Sequence, residues 1–277
     1  VLYAAGINGG NLVVQFTLNS TASQTFRVEF FASAAAGQAQ RYLGFATVTT
    51  DAGGNATVSS TTISAAVAVG ELITATATNT GTNNTSELSN AVVAASRTLS
   101  GTLYNDVDGD ADVAEGGTLT FAGATVNLYV DDGDGLIDAG DVLVATTTTN
   151  GAGAYSFADL GQASYYVAVD SRTLAAPAYN ASGFVGAAAA DDMWAEQTYG
   201  DDWTTTGVTL AARYGGRGAG VSDNAAAITS SEHVALVSVG GANVAGVDYG
   251  FSFSAIVNTR GDTTDDLSDM AREISDR

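Results

Sequence analysis

Two stretches, Asn105-Asp106-Val107-Asp108-Gly109-Asp110 and Asp131-Asp132-Gly133-Asp134-Gly135-Leu136-Ile137-Asp138-Ala139-Gly140-Asp141, set carboxylates at alternating positions around glycine. Crowded onto one small turn, such oxygens repel one another unless a cation sits between them. Ligation of a hard divalent ion, calcium before others, is the chemistry they offer. Both stretches border β-patterned sequence, as expected where a metal stiffens a turn.

Asp106, Asp108 and Asp110 take positions 1, 3 and 5 of a calcium-loop template, with Asp112 and Glu115 as further ligands and Ala111 where glycine is expected. In the second stretch Asp132, Asp134, Gly135, Ile137 and Asp141 fall at positions 3, 5, 6, 8 and 12, while Val130 stands at position 1. Asp131 can substitute through a compressed turn, and Asp138 can add an oxygen directly or through water. The alternative for either stretch is a solvated acidic turn.

Other chemistry is sparser. The single histidine, His233, sits in the alternating run Glu232-His233-Val234-Ala235-Leu236-Val237, where one face of a strand is its ordinary place and a dyad with Ser231 has no support. Trp194 and Trp203 cluster with Tyr199, Tyr214, Asp191, Asp192, Glu196, Asp201 and Asp202. Such a group suits a sugar platform or a retaining glycosidase, which needs two acids about 5 Å apart beside stacking aromatics. A partly buried aromatic cluster with an acidic rim is the plainer reading. Arg260-Gly261-Asp262 is a three-residue match to an integrin-read tripeptide, too short to exceed chance.

The composition excludes several classes. Nine basic residues, all arginine, against thirty acidic ones give a net charge of −21, which repels nucleic acid and anionic membranes and attracts divalent cations. Without lysine there is no Schiff base, P-loop lysine or Lys-to-Asn crosslink; without cysteine there is no disulfide, thiolate zinc site or thiol nucleophile. No apolar run approaches the ~18 residues of a membrane span. Val1 opens directly in strand-like sequence without a basic, apolar leader, which reads as a mature or excised chain.

The elements that must position these groups are strands. Val14, Phe16 and Leu18, then Phe26, Val28 and Phe30, alternate on either side of the polar turn 19–23. Further strands are expected at 42–50, 56–63 and 72–78, then at 100–104, 124–130, 143–149, 155–160, 166–169, 233–239 and 244–253. Such short, regular spacing indicates sandwiches. Near the end, Leu267, Met270, Ala271 and Ile274 recur at helical spacing behind Thr264, with Asp265 and Asp266 in the first turn, which predicts a capped amphipathic helix.

The ordered text Phe30-Phe31-Ala32-Ser33, Tyr42-Leu43-Gly44, Thr47-Val48-Thr49-Thr50-Asp51, Ile73-Thr74-Ala75-Thr76-Ala77-Thr78 and Asn84-Thr85-Ser86-Glu87-Leu88-Ser89 resembles an immunoglobulin-like repeat of large bacterial surface and secreted proteins. From Arg97 to about Leu174 the chain resembles collagen-adhesin B-type and serine-aspartate-repeat B-type domains. That resemblance implies a small β-sandwich carrying calcium loops. Trp194-Ala195-Glu196-Gln197-Thr198-Tyr199-Gly200 and Gly246-Val247-Asp248-Tyr249-Gly250-Phe251-Ser252-Phe253 are similar to a segment that follows B-type domains in long surface proteins.

The expected architecture is all-β: tandem immunoglobulin-like β-sandwiches with a short C-terminal amphipathic helix. Its units are a sandwich over 1–96, a calcium-loop sandwich over 97–175, an irregular β-rich extension with the aromatic cluster over 176–257, and an acidic connector with the helix over 258–277. The expected function is a non-enzymatic extracellular structural or adhesive segment of a cell-surface protein, rigidified by calcium, as either one part of a long monomeric stalk or a protomer that polymerises through its exposed first strand or terminal helix. Neighbouring domains or identical subunits are the expected partners, with glycans or a host surface as further ones. A carbohydrate-binding or glycoside-cleaving module on Trp194 and Trp203 is the alternative.

Overall fold

A computed structural model describes residues 1–106, 109–111, 120–175, 193–201, 210–217 and 221–255, whose regular elements are strands apart from two single-turn 3-10 segments. The first sandwich comprises β1 (Leu2–Asn8), β2 (Asn11–Asn19), β3 (Thr25–Ser33), β4 (Arg41–Thr49), β5 (Asn55–Ala66), β6 (Leu72–Asn79) and β7 (Val92–Ala95). Period-two alternation sets the faces: Leu12, Val14 and Phe16 of β2 and Phe26, Val28 and Phe30 of β3 turn inward, while their neighbours are half-buried. The strands form one sheet in the order β4-β3-β6-β7-β1-β2-β5. It wraps around a shared core, in which the Phe16 and Phe30 rings meet edge-on at 5.5 Å.

β1 is not the exposed strand expected for exchange between copies. It lies inside the sheet, antiparallel to β2 and parallel to β7, with Leu2, Ala4 and Ala5 buried. Both of its edges are therefore paired, and its small apolar residues serve the core. β7 is a short strand that periodicity did not reveal; it carries the sheet from β6 to β1.

The second sandwich comprises β8 (Arg97–Asn105), β9 (Thr125–Val130), β10 (Val142–Thr148), β11 (Ala154–Leu160), β12 (Ala163–Asp170), β13 (Met193–Asp201), β14 (Leu210–Ala212), β15 (His233–Val239) and β16 (Tyr249–Ala255). A four-stranded sheet, β10-β9-β12-β15, faces a five-stranded sheet, β11-β8-β16-β13-β14. Leu99, Leu103, Leu128, Tyr165, Val167, Tyr249 and Phe251 fill the space between them. On the outer side of the four-stranded sheet, Ala225 and Ile228 cover Tyr129, Tyr166 and Leu236. β9 and β12 are thus buried on both faces, which accounts for their near-continuous apolar sequence.

The segment expected to be a separate extension over 176–257 instead completes this sandwich. β15 pairs with β12 from Ala163↔Val239 to Val169↔His233, and β16 runs parallel to β8 at Leu103, Tyr104 and Asn105. Without these late strands β8 and β12 would each present an unpaired edge beside a large apolar face. The terminal helix and Arg260-Gly261-Asp262 lie outside the described residues.

One residue, Ser96, separates β7 from β8. The β11–β12 turn presses against β1 there: a Cβ on Gly161 would stand 2.6 Å from the Ala5 nitrogen, so that position admits only glycine without backbone movement. The Ser96 hydroxyl also reaches Asp159 at 3.4 Å.

Candidate metal centre

Residues 131–141 close the β9–β10 hairpin, whose last rung is Val130↔Val142. Asp131 and Asp141, at the two stems, are each 7% exposed, whereas Asp134 and Asp138 face solvent. Backbone amides shape the turn. Gly135 N–H donates to Asp131 Oδ1 (3.1 Å), Leu136 N–H to Asp134 Oδ1 (2.8 Å), and Asp138 N–H to Asp141 Oδ2 (3.0 Å). Gly133 and Gly135 take the positive φ values that such winding requires, 106° and 71°.

The carboxylates converge. One oxygen from each of Asp131, Asp132 and Asp134 lies within 4.8 Å of the others. Asp132 Oδ2 and Asp138 Oδ1 both crowd Gly140, at 2.2 and 2.9 Å from where a Cβ would stand. Asp141 Oδ1 is buried without a hydrogen-bond partner, and so is the Tyr166 hydroxyl. The charges of Asp131, Asp141, Asp134 and Asp132, secondary to burial, make that tyrosine harder to ionise.

Electrostatics tell of the same crowding. Burial, followed by the charges of Asp131 and Asp138, pushes the Asp141 carboxyl up to about 6. Asp132 is raised as well, first by burial and then by Asp134 and Asp138. Two carboxyls that resist ionisation, beside the partnerless Asp141 Oδ1, form a site that a divalent cation would relieve. Calcium, which accepts several oxygens in flexible geometry, fits this donor set.

The loop lies against the first sandwich. Gly140 and Ala139 share a polar cleft with Thr17, Leu18, Asn19, Asn55 and Thr57 of β2 and β5. Tyr3 of β1 bonds to the Thr17 hydroxyl at 2.7 Å; burial and then the charges of Asp132, Asp141 and Asp138 raise its pKa. The candidate centre therefore stands at the joint between the two sandwiches, a position that hairpin periodicity gave no sign of.

The first acidic stretch has a different character among its described residues. Asp106 is fully buried, and its two carboxylate oxygens accept from Gly109 N–H and Ala111 N–H, both at 2.9 Å. Its own amide donates to the Phe251 carbonyl. Asp106 thus staples the start of the loop to β16, with each carboxylate oxygen accepting one backbone N–H, while Asp110 is exposed. Asp108, Asp112 and Glu115 lie outside the described residues.

Of the aromatic cluster, Trp194 falls in β13 opposite Ser254, and Tyr214 is 60% exposed. Trp203, Asp191, Asp192 and Asp202 lie outside the described residues. His233 is fully buried on the inner face of β15, edge-on to Phe251 at 5.0 Å. Tyr166, Tyr3 and the Gly140 cleft were missed from sequence; the one available signal was the paired tyrosines Tyr165-Tyr166 in a strand apolar on both faces.

No family model matches the chain, and no curated protein matches it. Among solved structures it is similar to the major pilin subunit of Bacillus cereus, at 11% identity over 88% of this chain and 65% of that one, with a TM-score of 0.29. The backbone pilin of serotype M6 Streptococcus pyogenes matches at 10% identity over 89% of this chain and 66% of that one, TM-score 0.27. The minor pilin of Streptococcus agalactiae matches at 11% identity over 89% of this chain and 88% of that one, TM-score 0.26. The chain spans slightly less than two thirds of the first two. No helix among the described residues is long and apolar enough to cross a membrane.

Proposed function

We propose that this chain is a non-enzymatic structural segment of an extracellular or cell-surface protein, in which calcium at residues 131–141 stiffens the joint between two β-sandwiches. The orphaned, buried Asp141 Oδ1 beside the Asp131, Asp132 and Asp134 oxygens carries this reading. Asp131, Asp132, Asp134 and Asp141 would hold the ion, with the outward Asp138 contributing directly or through water. An ion there would join the hairpin tip that abuts β2 and β5, so that bending between the sandwiches would disturb the coordination. The one-residue connection at Ser96 and the acidic surface support a rod that bears load or spacing outside a cell. Neighbouring domains or identical subunits are its proposed partners, and assembly would use sheet edges such as β10 or β14, since β1 is internal.

Calorimetric calcium titration of the whole chain, with small-angle scattering alongside, tests the proposal. A fragment ending near Leu174 would lack β13, β15 and β16 and is not a fair substitute. Binding heat that disappears in Asp134→Ala, with a scattering profile that narrows to one extended form on calcium addition, is the expected result. Absence of heat in the parent would return residues 131–141 to the status of a solvated turn.

A further inference from the structure

A second set of ligating side chains occupies the opposite end of the four-stranded sheet. The acidic hairpin follows the Val130↔Tyr165 rung, whereas His233 begins β15 at the Val169 rung. One ligand atom each from Asp223, Glu232 and His233 lies within 4.8 Å of the others. His233 is 0% exposed, Glu232 is half-buried, and the Asp223 side chain is 37% exposed, so the cluster opens to solvent on the Asp223 side.

The two ring nitrogens of His233 have unlike surroundings. Nδ1 lies 3.2 Å from Gln197 Oε1 and donates its proton to that oxygen. Nε2 faces Asp223 Oδ1 across 3.4 Å, too long for a well-formed hydrogen bond, and meets no other polar partner. A proton on Nε2 or a metal ion between the two groups would each satisfy this pair, and the third ligand atom from Glu232 favours the metal. The separation also has meaning, since two ligands about 2.0 to 2.1 Å from a tetrahedral metal stand roughly 3.3 Å apart.

The remaining groups are arranged as supports. The Ser171 hydroxyl donates to Asp223 Oδ1 at 2.8 Å and fixes that carboxylate, as Gln197 fixes the ring. An imidazole nitrogen with two carboxylates suits zinc and its neighbours better than calcium, which takes oxygen ligands.

We propose that His233 Nε2, Asp223 and Glu232 form a binding site for a divalent first-row transition cation, zinc before others, with solvent completing its coordination. Such an ion would tie the loop bearing Asp223 to β15 and so clamp the far end of the second sandwich. The site is independent of the calcium centre and does not rest on it.

The test uses the whole chain, stripped with chelator and then saturated with calcium so that the acidic hairpin is filled. Zinc calorimetry should give one equivalent, and cobalt(II) should give a visible absorption band that zinc abolishes. Asp223→Ala and Glu232→Gln, both at partly exposed positions, should each weaken zinc binding roughly tenfold or more while the protein stays folded. His233→Gln should abolish the band, with the carboxylate variants keeping the test decisive if that protein does not fold. A parent without zinc heat or cobalt band, or carboxylate variants that bind as the parent does, would overturn the assignment.

Discussion

Gly6 lies directly beneath Asp159: a Cβ at position 6 would come within 2.1 Å of the Asp159 carbonyl oxygen. With Gly161 against Ala5, this makes a contact between β1 and the end of β11 with the turn that follows it, which any side chain would force apart. Gly6→Ala should therefore destabilise the protein by about 1 to 3 kcal/mol, the range for overpacking. Thermal unfolding reads the cost, and small-angle scattering should show a broader distribution of shapes. Gly151→Ala, where a Cβ meets nothing within 4 Å, is the control and should change stability by less than about 0.5 kcal/mol.

The acidic hairpin should reverse the pH dependence of stability according to whether calcium is bound. Without calcium, Asp141 titrates near 6 in the fold and near its ordinary 3.8 when unfolded, so the folded state holds the proton more tightly. Its contribution is present in full below the unfolded value and is lost as pH rises from about 4 through about 6. Calcium requires the ionised carboxylate, so with the ion present stability should instead rise over that window. Denaturant titrations at pH 4.5 and 6.5, with calcium and with chelator, measure both signs. Slopes of the same sign in the two sets would refute a calcium role for Asp141.

Asp141→Asn should separate binding from stability. The amide keeps the shape of the side chain but removes a buried charge whose Oδ1 has no donor, so the calcium-free protein should gain about 1 kcal/mol. Its affinity for calcium should fall tenfold or more, because the site loses one anionic ligand. Unfolding in chelator and calorimetry of the same sample read these opposite effects.

Asp106 is expected to behave in another way. Both of its oxygens accept backbone N–H groups, so Asp106→Ala should cost about 2 to 4 kcal/mol by leaving the Gly109 and Ala111 amides without their acceptor. The loss should be similar in chelator and in calcium, as unfolding midpoints under the two conditions would show.

Assembly, if it occurs, should not require β1. Sedimentation velocity at high concentration with calcium should show association that responds to a charge on an edge strand, such as Thr147→Arg on β10, and not to removal of Val1. A strictly monomeric profile would exclude self-assembly and leave a stalk made of single chains.

The alternation of β2 and β3 revealed strands and inward faces because a pleated strand places every second side chain on one side. It was silent about neighbours. β1 looked like a free edge because its own pattern contains no record of β7, whose partner residues lie far away at Ala94 and Ala95. β15 and β16 looked like the better parts of an extension for the same reason: their pairing with β12 and β8 spans tens of residues. The acidic hairpin was legible as a ligand loop, since aspartates at alternate positions around glycine have few other uses. That Asp141 is buried with an unsatisfied oxygen, and that Asp106 is occupied by amides, was not.

The sequence by itself determined an all-β chain without lysine or cysteine, strongly acidic, with two turns rich in oxygen ligands. Those properties are local, set by residue type and by the two-residue repeat of a strand. Tertiary structure alone decided that the 131–141 turn meets the first sandwich, that late strands close the second, and that His233 faces Asp223. Each of these depends on backbones brought together from distant parts of the chain, where packing against a shared core and the pairing of open sheet edges choose the partner.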